Sequence, residues 1–119
     1  MKPNLENFKR FLKLSSLSIT FIVEGKKDKK VLNSLGFKNV ISISNQSPRK
    51  VKNKIKTKEI VILTDFDKEG ENLRKKFETY FHSYNFKVNY FIPKIVRSLG
   101  IKKIEELNFY KRLTEYKAE

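Results

Sequence analysis

Cysteine is absent from the 119 residues, which excludes disulfides, thiolate zinc sites and a cysteine nucleophile together. His82 is the only histidine, so neither a histidine-based triad nor a multi-histidine metal centre can be built within one chain. Four glycines and three prolines all fall at expected element boundaries, and no low-complexity linker or internal repeat occurs. No apolar run approaches the ~18 residues of a membrane span, and the opening Met1-Lys2-Pro3-Asn4 lacks the pattern of a signal peptide. The chain is therefore expected to be intracellular, soluble and cytoplasmic. Its length suits a single domain, 1–119, built around one core.

Acidic residues are missing from one long stretch: between Lys29 and Lys58 there is none. The formal net charge is +14, and 22 lysines stand against 5 arginines. A basic face of this kind points to a polyanion, most simply nucleic acid, although solvated lysines cost little on any helix surface.

Buried-strand and amphipathic-helix patterns alternate along the chain. Residues 4–14 read as a helix with Leu5, Phe8, Phe11 and Leu12 on one stripe and Asn4 as N-cap. Strands are expected at 18–23, 40–43, 59–64 and 86–92, the last ended by Pro93. Helices are expected at 27–35, with Gly36 as its stop, and from the Ser47 cap and Pro48 to about Lys56. Further helices fall at 68–83, 95–99 and about 103–117. In the 68–83 helix, Leu73, Phe77, Tyr80, Phe81 and Tyr84 recur at helical spacing and are assigned to the core rather than to base stacking. Lone His82 falls on its surface. The order implies an α/β fold with a mostly parallel four-stranded sheet, helices on both faces and extra helices at both ends.

Chemistry concentrates at two strand ends. Phe21-Ile22-Val23 runs into Glu24-Gly25, and Ile60-Val61-Ile62-Leu63-Thr64 runs into Asp65-Phe66-Asp67, with Gly70 just beyond. Parallel strands would bring Glu24, Asp65 and Asp67 to one sheet edge, where open α/β sheets bind ligands. Clustered carboxylates repel unless a cation joins them, and all-oxygen ligation suits magnesium. A single Asp after a strand also serves commonly as a helix cap, and Asp28 has both readings open: cap of the following helix, or metal ligand.

Glu24-Gly25-Lys26-x-Asp28 followed by Thr64-Asp65-Phe66-Asp67-Lys68-Glu69-Gly70-Glu71-Asn72-Leu73-Arg74 resembles the Toprim domain of topoisomerases, bacterial primases, recombination-repair proteins and the ribosomal-RNA maturase of Gram-positive bacteria. The likeness covers roughly 19–92. It leaves 1–17 as a leading helix and 93–119 as a helical extension, as in small stand-alone archaeal Toprim proteins. The resemblance implies Glu24 as general acid or base and metal ligand, and Asp65 and Asp67 as ligands of one or two Mg2+ ions, for which Mn2+ can substitute. Gly25 and Gly70 match the family's turn glycines. Glu69 replaces the third Asp of the topoisomerase form, so the Asp-x-Asp-x-x-Gly-Glu spacing is closer to the maturase and archaeal types.

Lys26, Lys27 and Lys30 are candidate phosphate contacts beside this site, and Arg49, Lys50, Lys52, Lys54 and Lys56 form a candidate nucleic-acid face. Tyr110 and Tyr116 lack any motif of a topoisomerase nucleophile. Three functions stay open: a magnesium-dependent nuclease or phosphotransferase acting on nucleic acid, with structured RNA favoured over DNA; a non-catalytic, ribosome-associated RNA-binding protein; or a subunit active only with a protein partner.

Overall fold

A computed structural model describes residues 2–118, with side chains through Glu115; Met1 and Glu119, the outermost residues of the two expected extensions, lie outside it. Four strands, β1 (Ile19–Val23), β2 (Val40–Ser42), β3 (Glu59–Ile62) and β4 (Lys87–Val88), form one sheet in the order β2-β1-β3-β4. Every neighbouring pair is parallel, with Phe21 opposite Val40 and Val61, and Ile60 opposite Val88. The expectation of a mostly parallel sheet is met by a wholly parallel one.

Among the described residues six α-helices surround it: α1 (Leu5–Lys13), α2 (Lys26–Ser34), α3 (Pro48–Lys52), α4 (Lys68–Ser83), α5 (Ile92–Arg97) and α6 (Leu107–Ala118). The unbroken apolar runs of β1 and β3 are explained by burial on both faces. Ile19, Phe21, Val23, Val61 and Leu63 join Phe8, Phe11, Leu32, Val96 and Leu107 in one cluster, beneath α1, α2, α5 and α6. Ile22, Ile60 and Ile62 point the other way, to Val51 of α3 and Phe77 and Phe81 of α4. The core assignment of the aromatic stripe holds for Phe77 and Phe81. Tyr84 stands half outside, with the Lys52 ammonium 3.9 Å from its ring centre.

This connectivity has a consequence at the adjacent central strands. The chain leaves β1 for α2 on one face and β3 for α4 on the other. A crevice therefore opens between their carboxyl ends, the switch point at which open α/β sheets take ligands.

Beyond shifts of a few residues at several element ends, three regions differ from the sequence reading. β4 spans two residues rather than seven, and Pro93 opens a helix instead of ending a strand. Asn89 is the cause: its Oδ1 accepts the N–H groups of both Phe91 and Ile92, at 2.9 Å each, and turns the chain out of the sheet. Proline in a first helical turn lacks only an N–H that would have had no helical partner. α3 stops at Lys52, because Lys54 and Ile55 donate to carbonyls three residues back and tighten the chain into turns. The expected helix at 103–117 begins as a 3-10 turn, Ile104–Glu106. Tyr110 is fully buried, stacks on Phe8, donates to Leu99 O at 2.6 Å and accepts from Asn4 N at 3.1 Å. It is thus a strut between the two terminal helices and not a nucleophile. Tyr116 lies beyond the described side chains.

Candidate metal and nucleic-acid site at the carboxyl edge of the sheet

Glu24 is the first residue past β1, and its Oε1 accepts the N–H of Asp65 at 3.0 Å, joining the two strand ends. Asp65 in turn accepts the N–H of Ile104 on Oδ1 at 2.9 Å, and Phe66 N–H donates to Lys102 O at 2.7 Å. Asp67 caps α4, accepting Gly70 N–H on Oδ1 at 2.7 Å. Buried Thr64 donates its hydroxyl to Gly70 O at 2.7 Å, so the loop from 64 to 70 folds back on itself. That closure demands glycine at 70, where a Cβ would stand 1.9 Å from Asp65 O. Gly25 differs: its backbone is extended, and a Cβ there would meet nothing within 4 Å.

Glu24, Gly25, Lys26, Lys27, Asp28 and Asp65 line an open cleft of about 540 Å3. Sequence reasoning missed its remaining walls. Ser44 and Asn45 arrive from the loop after β2, both with positive φ (43° and 64°), and Ser44 N–H donates to Glu24 O at 2.9 Å. The Ser-Asn-Gln-Ser run after an apolar strand was the available signal for such a turn. Lys103 and Glu105 come from the segment before α6, and no local pattern announced them.

The carboxylates are electrostatically coupled. Burial raises the Glu24 pKa, the hydrogen bond from Asp65 N–H opposes it, and the charges of Asp65, Asp67 and Glu69 raise it further. Asp65 is raised by burial and then by Asp67 and Glu105, against the Ile104 hydrogen bond and the Lys103 charge. Asp28 is pushed up to about 6, chiefly by burial and then by Asp65. It caps α2 through Gly25 N–H on Oδ2 (3.3 Å) while also facing the cleft, so the structure realises its capping role.

Glu24 and Asp65 thus meet directly, whereas exposed Asp67 lies outside the cleft lining and acts on both through its charge. Among the described residues no three His, Cys, Asp or Glu side chains gather to hold one ion. The donor chemistry nonetheless fits magnesium, which uses one or two carboxylates and keeps several waters. Oε2 of Glu24, Oδ2 of Asp65 and Oδ2 of Asp67 have no hydrogen-bond partner among the described residues.

The basic residues divide. Lys26 and Lys27 line the cleft, and Lys30 is exposed farther along α2. Arg49 and Lys50 are exposed on α3, while Lys52 is engaged by Tyr84 and Lys54 donates to Gln46 Oε1 at 2.7 Å. Lys54 and Lys56 line a separate groove with Lys38 and Thr20 that shares no residue with the acidic cleft. His82 is exposed, as expected.

A parallel sheet with a glutamate past one central strand and an Asp-x-Asp loop past its neighbour defines a class of metal-binding, nucleic-acid-related α/β domains. The chain belongs to the Toprim domain family, whose sequence profile matches residues 20–97. It is 39% identical over 111 residues to the UPF0292 protein of Thermococcus kodakarensis, covering 86% of this chain and 84% of that protein. The UPF0292 protein of Methanocaldococcus jannaschii is 34% identical over 108 residues, covering 83% of each. A solved structure of an Aquifex aeolicus protein superposes with a TM-score of 0.76 at 31% identity, over 85% of this chain and 94% of that one. Among the described residues no helix is long and apolar enough to cross a membrane.

Asp28 yields a stability prediction. Its pKa of about 6 in the folded chain lies above the ordinary 3.8, so the folded state holds the proton longer. The resulting stability is fully present below pH ~4 and is lost as pH rises through about 6. Asp28→Asn keeps an oxygen for Gly25 N–H and removes the charge. Without divalent metal at pH 7 it is expected to be more stable by about 1–2 kcal/mol, allowing for solvent screening at a half-buried group. Thermal melts from pH 4 to 7.5 in EDTA check this: the wild-type curve falls relative to Asp28→Asn, and parallel curves refute it.

Proposed function

We propose that this chain is a cytoplasmic, magnesium-dependent enzyme that cleaves or transfers phosphodiesters in structured RNA, acting as a single Toprim domain, 1–119. The observation that carries this reading is the direct coupling of Glu24 to Asp65 at the switch point of the sheet, with Lys26, Lys27 and Lys103 around the same cleft. Glu24 serves as general acid or base, since a raised pKa brings a carboxyl group nearer neutrality. Asp65 and Asp67 supply the metal ligands; because the three carboxylates do not gather around one point, Glu24 would join them as a donor only after the strand ends draw together on the ion. Bound Mg2+ (or Mn2+) would polarise a phosphoryl oxygen and make water a better nucleophile. The lysines orient the phosphate and offset its charge. The Asp-x-Asp-x-x-Gly-Glu spacing shared with the maturase type favours RNA over DNA.

A second reading, a non-catalytic and ribosome-associated RNA-binding protein, is favoured by the Lys38, Lys54 and Lys56 groove lying apart from the carboxylates. End-labelled structured RNA and DNA of matched sequence, incubated with Mg2+, Mn2+ or EDTA, separate the two. Metal-dependent cleavage supports the enzyme; intact substrates throughout overturn it. In the same material, Lys50→Gln, Lys54→Gln and Lys56→Gln together are expected to weaken binding and flatten its salt dependence. The slope should fall by about 0.9 for each duplex phosphate that the variant no longer neutralises. An unchanged slope removes that face from the interface.

A further inference from the structure

Adjacent exposed apolar side chains rimmed by polar groups mark interaction surfaces more often than isolated ones do. Phe91 is 67% exposed and Tyr90 49% exposed, side by side where edge strand β4 ends. They follow the carboxyl end of β4, whose last ladder pair is Ile60–Val88, at the end of the parallel sheet from which Glu24 and Asp65 also emerge. Their mounting is well anchored. Asn89 donates from Nδ2 to Glu59 Oε2 at 2.9 Å and accepts from Phe91 and Ile92 N–H, and Pro93 follows. Two small clefts of about 230 and 240 Å3 flank Tyr90 and share Glu78.

The charges around the rings are mostly positive. Lys75 and Lys94 have no ion-pair partner among the described residues, and Arg97, 61% exposed, uses one guanidinium nitrogen on Glu71 Oε1 at 3.4 Å and leaves the others free to meet a phosphate. The acidic groups here are Glu71, held by Arg74 and Arg97, and Glu78, held by Arg74. Arg97 also reaches back to the acidic loop, its guanidinium 5.9 Å from the ring centre of Phe66.

We propose that Tyr90 and Phe91 form a stacking platform for unpaired nucleotides flanking the reacting phosphodiester, with Lys75, Lys94 and Arg97 meeting their phosphates. Exposed ring faces interleaved with cations are what a single strand uses without sequence preference. The inference rests on the nucleic-acid reading above and narrows the substrate to one with a single-stranded flank.

Binding in EDTA, where no cleavage intervenes, tests it. The ligands are one RNA hairpin with a blunt end and the same hairpin with a short unpaired extension carrying 2-aminopurine. Wild type is expected to prefer the extended hairpin and to quench the 2-aminopurine. Phe91→Ala and Tyr90→Ala should each lose about 5- to 100-fold on the extended hairpin and little on the blunt one. Phe91→Leu, apolar but without a ring, should behave like Phe91→Ala, and Tyr90→Phe like wild type. Equal wild-type affinity for the two hairpins, or a preference that survives the ring deletions, overturns the platform and leaves the patch to a protein partner. Cleavage separates this outcome from failure of the proposed activity. Cleavage with no flank preference removes the platform alone; flank preference lost in the variants without any cleavage removes the catalytic reading alone.

Discussion

Glu24→Gln is expected to slow magnesium-dependent cleavage by about two to four orders of magnitude, the usual contribution of a positioned general acid or base. The substitution is chosen for what it preserves. Glutamine keeps an Oε1 acceptor for Asp65 N–H, so the tie between the two strand ends survives. What disappears is a carboxyl whose pKa is raised by burial and by neighbouring carboxylates. RNA affinity should stay within a few-fold of wild type, because Lys26, Lys27 and Lys103 remain in place. Asp65→Asn likewise keeps an acceptor for Ile104 N–H but weakens a metal ligand, and excess Mn2+ should restore part of its activity. Single-turnover cleavage with titrated metal distinguishes the two variants. A Glu24→Gln protein that cuts at the wild-type rate removes Glu24 from the chemistry.

Gly70→Ala should be the most damaging single methyl group in the chain. The added Cβ would lie 1.9 Å from Asp65 O and 2.7 Å from Asp65 C, both backbone atoms that cannot swing aside. Relief requires the first turn of α4 to move off the acidic loop. That movement strains the Thr64 hydroxyl bond to Gly70 O and the Asp67 bond to Gly70 N–H. Overpacking of this kind costs about 1–3 kcal/mol, and stranding a buried hydroxyl adds a similar amount. A total of about 3–5 kcal/mol is a large part of a small domain's stability and lowers the melting temperature by roughly 10–20 °C. Gly25→Ala is the internal control: with open space at its Cβ it should melt near wild type. Equal melting temperatures for the two variants would disprove the close approach.

The central sheet and the meeting of Glu24 with Asp65 were legible because both strands are buried on two faces and end abruptly in a carboxylate. The full length of α4, Lys68–Ser83, was legible for a related reason, a sustained 3.6-residue pattern with an Asp cap. The end of β4 was not, because one side chain, Asn89, overrides the strand propensity of Tyr90, Phe91 and Ile92 by capturing two backbone N–H groups. The basic segment was legible as charge but not as geometry. Lysines two positions apart, such as Lys52 and Lys54, end against Tyr84 and Gln46 respectively. Lys103 and Glu105 escaped notice because nothing local marks a cleft wall contributed by a distant turn.

That turn changes what can be transplanted. The Toprim profile ends at residue 97, yet Lys102 O and Ile104 N–H hold Phe66 and Asp65, and Lys103 and Glu105 face the cleft. In this chain the cleft formed by the strand-end carboxylates is thus closed by a segment that lies outside the family profile. Exchanging that segment for a relative's is expected to remodel the cleft walls at Lys103 and Glu105 while leaving Glu24, Asp65 and Asp67 in place.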